Sequence, residues 1–122
     1  MEELIKKLKA EGKLLTLKPT INLSDLNEGD EVTWRVRIND ALHFFIPSEE
    51  ENGDPENLKC VPYTHLLLTK GLGENKQEVL YEIKDAGWDY STYDDGSIVE
   101  YEEDGEKYCE LLAVYTLGKR IV

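Results

Sequence analysis

His43, Cys60, His65 and Cys109 are the side chains of this sequence whose types could hold zinc or build a nucleophile. Zinc takes thiolate sulfur and imidazole nitrogen in a tetrahedral set, and structural zinc modules supply them as close ligand pairs. These four positions make no such pairs, so the expectation is no metal, no cofactor, two ordinary strand histidines and two buried thiols. A cysteine paired with a histidine could also attack as a thiolate. Val61-Pro62 follows Cys60, however, and no helix N-terminus stands beside it to activate it. Ser91 and Ser97 complete no triad with either histidine, and the reading is that the chain is not an enzyme.

Two further chemistries fare no better. A general acid must lose water to raise its pKa, and most of the 26 acids lie in loops or on strand faces expected to be wet. The stretch Thr69-Lys70-Gly71-Leu72-Gly73-Glu74-Asn75-Lys76 could cradle a phosphate if a helix opened at Asn75. It lacks the Gly-Lys-Ser/Thr ending of a phosphate loop and the third glycine of a dinucleotide fingerprint, which leaves a plain turn.

What stands out is where the charge lies. The 122 residues carry a net charge of −12, and residues 85–110 hold ten acids against the single base Lys107, a local net of −9. Trp88, Tyr90, Tyr93, Tyr101 and Tyr108 are interleaved with them. Such a balance repels phosphate and anionic lipid, which excludes direct contact with nucleic acid or a membrane surface and favours a basic partner. Tyrosine and tryptophan bring contact area with a polar tip, and their rings can stack on arginine. Asp89, Tyr90, Tyr93, Asp94, Asp95, Glu100, Tyr101, Glu102, Glu103 and Asp104 are therefore the expected partner-binding residues. The fitting partner is a basic protein, a nucleic-acid-binding enzyme above all, with the chain acting as an inhibitor or nucleic-acid mimic. Anti-restriction, anti-CRISPR and nuclease-immunity proteins work this way, an analogy of charge and size only.

The rival site belongs to another class. Arg35 and Arg37 share the polar face of the best strand, and His43 would face them across a hairpin. With nearby aromatics they could bind a nucleotide-like anion in the mouth of a small barrel.

These side chains need elements to position them. Leu4, Ile5 and Leu8 put one apolar face on a helix over 2–11, with Gly12 as its stop. A first β unit spans 13–46. In it Val32, Trp34, Val36 and Ile38 alternate with polar residues, Asn39-Asp40 turns the chain, and Leu42, Phe44 and Ile46 return to the same core. Residues 48–57 read as an acidic loop. A second β unit spans 58–117, with a strand over 58–69, a segment 76–86 that fits strand narrowly better than helix, and a hairpin about Glu103-Asp104-Gly105. The fold class is α+β and mostly β: a small curled antiparallel sheet, or an SH3- or OB-like partly open barrel, with one short helix, in a single domain. With no apolar run of signal or spanning length in view, a cytoplasmic location is expected.

Overall fold

Helix α1, Glu2–Ala10, stops where glycine lets it stop. Gly12 takes φ +69°, its N–H donates to the Lys9 carbonyl at 3.1 Å, and the Lys13 N–H donates to the Leu8 carbonyl at 2.9 Å. This paired closure satisfies carbonyls that a helix end would otherwise leave orphaned. The computed structural model describes residues 2–46 and 59–121. The expected acidic loop at 48–57 lies outside them.

The chain is α+β and mostly β. A five-stranded sheet runs in the order β1-β5-β6-β9-β2, where β1 is Leu14–Leu17, β2 Glu31–Val36, β5 His65–Lys70, β6 Gln77–Tyr90 and β9 Leu111–Arg120. Two two-stranded sheets join β3, Phe45–Ile46, to β4, Lys59–Cys60, and β7, Glu100–Glu103, to β8, Glu106–Cys109. Segment 76–86 is strand, as its Val-Tyr-Ile alternation favoured. No helix among the described residues is long and apolar enough to cross a membrane.

Contacts divide the chain into two compact units. The first comprises residues 1–32, 62–85 and 115–122. Within it β1 pairs with β5 in parallel, Leu15 against Leu66 and Leu17 against Leu68, a departure from the antiparallel pairing expected throughout. The run Leu66-Leu67-Leu68-Thr69 is buried on both faces, which is why it reads as a continuous apolar stretch instead of an alternating one. Leu67 pairs with Leu80, and these two pack with Leu14 and Leu8 beneath α1. On the other face Leu66 pairs with Tyr81, whose hydroxyl donates to the Leu26 carbonyl at 3.1 Å and ties down the 23–26 segment.

The second unit comprises residues 33–61 and 86–114. Here the expected hairpin over 32–46 is overturned. Ile38–Asp40 is a 3₁₀ turn, Ala41–Phe44 is the one-turn helix α2, and Asn39-Asp40 reverses no strand. Ile38, Leu42 and Ile46 are exposed, Leu42 to 77%, and Trp34 is only half-buried. The apolar residues that do close this region are Val36, Phe44 and Phe45. The 58–69 strand is also broken, by residues 61–64, which belong to no strand, between β4 and β5. Cys109, expected to be buried, is exposed, and Cys60 is half-buried.

The Asp-Gly hairpin forms, one residue tighter than the expected Glu103-Asp104-Gly105 turn. Glu103 pairs with Glu106, so Asp104 and Gly105 alone make the loop, at φ 52° and 83°. Positive φ at both positions is the type I′ geometry whose twist matches the flanking strands. Alanine tolerates that region poorly, so Gly105→Ala should lower stability by about 1–2 kcal/mol. A shift of the urea midpoint at unchanged slope would register it.

Candidate functional site

All ten residues expected to meet a partner lie in the second unit, but not on one face. Along β7 the exposure alternates, so Glu100 and Glu102 are exposed while Tyr101 and Glu103 are half-buried. Tyr101 and Glu103 are turned to other tasks. The Ile38 N–H donates to the Tyr101 hydroxyl oxygen at 2.6 Å, and the Asn39 amide donates to Glu103 Oε1 at 3.2 Å. The β7–β8 hairpin is thereby fastened to the 3₁₀ turn at Ile38–Asp40.

Asp94 and Asp95 sit at a second tight tip. Thr92 bridges Ile98, the Tyr93 N–H donates to the Ser97 carbonyl at 2.8 Å, and the Gly96 N–H donates to the Tyr93 carbonyl at 2.9 Å. Tyr93 is 58% exposed at this tip. Asp95 Oδ1 accepts from the Ser97 hydroxyl at 2.6 Å and from the Ser97 N–H at 2.9 Å. These two bonds, the hydroxyl first, hold the Asp95 carboxyl below its ordinary range. Its folded value is depressed, so the order it lends the tip is complete above the unfolded value and fades as pH falls through the lowered one. An NMR titration should find the Asp95 midpoint below the ordinary aspartate value, and Ser97→Ala should move it back upward. Asp89 is exposed on β6, where its Oδ1 accepts from the Tyr90 N–H at 2.8 Å.

A cleft of about 370 Å³ lies within the same unit. Tyr90, Tyr101 and Tyr108 supply its rings, and Val36, Ile38, Ala41 and Leu111 its aliphatic surface. Tyr101 and Tyr108 face each other across the hairpin with ring centroids 5.8 Å apart. The Tyr108 hydroxyl donates to Glu106 Oε2 at 2.9 Å, and this bond to a carboxylate raises the pKa of the phenol. Arg37 and Lys107 also border the cleft. Sequence reasoning counted Tyr108 among the aromatics of the acidic stretch but left it, Ala41 and Leu111 out of the site. The register was the available signal, since a two-residue loop at Asp104-Gly105 forces Tyr101 opposite Tyr108.

The rival residues are held differently than expected. Glu110, 4% exposed at its side chain, takes Arg35 Nε on Oε1 and Arg37 Nη2 on Oε2, each at 3.6 Å. Arg37 also lies over the Tyr101 ring, 4.6 Å from its centroid. The chain's own carboxylate thus occupies the place between the arginines where a bound anion was expected. His43 is on α2, and no hairpin sets it across from them. Glu110 is buried because its backbone changes partners there: its N–H donates to the Val99 carbonyl and its carbonyl accepts from the Ser91 N–H, both at 2.9 Å. The second arm of the hairpin is cut into β8 and β9 at this residue.

The zinc candidates are scattered, with His65 in the first unit and His43, Cys60 and Cys109 in the second. Among the described residues no group of three or more His, Cys, Asp or Glu is placed to hold a metal. The glycine loop leads through a single 3₁₀ turn, Gly73–Asn75, straight into β6. No family model, no curated protein and no solved structure matches this chain.

Proposed function

We propose that this chain is a small acidic binding protein whose second unit docks on a basic surface of another protein. A nucleic-acid-binding enzyme is the natural target, because a groove shaped for phosphates carries the opposite charge. Bound there, the chain acts as a steric inhibitor or nucleic-acid mimic.

The observation that carries this reading is the pair of tight tips, Tyr93–Ser97 and Glu103–Glu106. Hydrogen-bonded turns hold exposed acids in fixed positions there, with an exposed tyrosine among those of the first. Acids scattered on flexible loops would lose more entropy on docking. The test is capture with the immobilised protein from a native extract, followed by elution with duplex DNA. A mimic's target binds nucleic acid on its own and is released by the competitor. A captured protein that DNA does not displace counts against mimicry.

A second reading, a nucleotide-like anion held by Arg35, Arg37 and aromatics, draws on the cleft that gathers Arg37, Tyr90 and Tyr101. It ranks lower because Glu110 already neutralises both arginines.

A further inference from the structure

We infer that the cleft of the second unit seats one large apolar side chain of the partner, carried on a segment with lysine or arginine on either side of it. This rests on the docking reading above and names the kind of segment that docks.

The cleft volume of about 370 Å³ is near the lower end of ligand pockets, the size of an anchor side chain more than of a cofactor. Two of its three tyrosine hydroxyls are already engaged. The Tyr101 hydroxyl accepts from Ile38 and the Tyr108 hydroxyl donates to Glu106, which leaves the faces and edges of these two rings as contact surface. Of its two cations, Arg37 is paired to Glu110, and Lys107 has Glu102 opposite it in the hairpin register. An anion seeking Arg37 here would have to displace Glu110. An apolar group displaces only water, and a buried anchor in a ready-made pocket is where binding energy concentrates.

The surroundings choose what flanks the anchor. Among the described residues of the second unit, ten acids face four bases, Arg35, Arg37, Lys59 and Lys107. Of those bases, Arg35 and Arg37 are paired to Glu110. Residues beside an inserted anchor therefore meet a negative field, which suits lysine or arginine and penalises aspartate or glutamate.

The experiment uses the whole protein and three labelled heptapeptides at low salt: Lys-Arg-Gly-Trp-Gly-Lys-Arg, the same peptide with alanine in place of tryptophan, and Glu-Glu-Gly-Trp-Gly-Glu-Glu. The tryptophan-centred basic peptide is expected to bind at least tenfold more tightly than the alanine-centred one. It should shift the amide resonances of Ala41, Tyr108 and Leu111. Ala41→Trp, which fills the cleft, should abolish the tenfold difference. Equal affinity of the two basic peptides, or shifts confined to residues away from the cleft, overturns the anchor while the docking reading stands. Preference for the acidic peptide, or no binding by any of the three, overturns both. The wild-type comparison and its resonance map decide the matter even if Ala41→Trp fails to fold.

Discussion

Replacing Asp94, Glu100 and Glu102 together with lysine should slow association with a basic partner by roughly 10- to 1,000-fold at low salt, the range over which charge steering acts on encounter rates. The three were chosen by what they leave intact. All are exposed, and none makes the turn bonds that engage Asp95 or the Asn39 contact that engages Glu103. Folding stability should fall by no more than about 1 kcal/mol, most of it from Glu102→Lys, which sets like charges opposite each other at Lys107 on an exposed hairpin. The deficit should shrink as salt rises, because the screening length falls to about 8 Å at physiological ionic strength and further beyond it. Tyr93→Ala should behave oppositely, raising the off-rate with little change in the on-rate, since an exposed ring contributes contact and not long-range attraction. Stopped-flow or surface-binding kinetics at several salt concentrations reads both. An unchanged on-rate in the triple variant would reduce the acidic tips to a solvated surface.

The parts of the fold that were legible in sequence are those fixed by neighbours along the chain. Gly12 closes α1 through bonds to Leu8 and Lys9, and Asp104-Gly105 sets the β7–β8 register through two dihedrals. The 32–46 hairpin misled for a definite reason. Leu42, Phe44 and Ile46 alternate over only five positions, too few to separate a period of two from a turn of helix followed by a strand. Ile38, Leu42 and Ile46 also recur every fourth residue, and all three are exposed. The parallel pairing of β1 with β5 joins residues 51 apart, Leu14 to His65, and nothing local encodes it. For the site, composition placed the acids and tyrosines in the correct unit but could not separate them. Strand alternation sends Tyr101 and Glu103 inward to the Ile38–Asp40 turn and leaves Glu100 and Glu102 exposed. Nor could composition distinguish Glu110 from its exposed neighbours, because its burial depends on backbone bonds to Ser91 and Val99.

Glu110 is also where the largest stability effect should appear, and the effect should be asymmetric. Arg35 and Arg37 are 80% and 56% exposed at their side chains, whereas the carboxylate they share is 4% exposed. Deleting the acid with Glu110→Gln frees two heads that water can solvate, so the cost should stay under about 1 kcal/mol, as for exposed ion pairs. Deleting both bases with Arg35→Ala and Arg37→Ala leaves a buried charge with neither partner, and the cost should reach about 2–3 kcal/mol. That is below the full figure for a broken buried pair, because the arginine heads already reach water. Adding Glu110→Gln to the double variant should then restore most of the loss, since the same volume is filled without a charge to compensate. Urea denaturation of the wild type and the three variants closes this cycle. Equal losses on the two sides would mean that the contact matters only as a packed triad. A restored fold also separates the rival readings: if the triple variant folds and still captures a basic partner, the arginines serve Glu110 and not a bound anion.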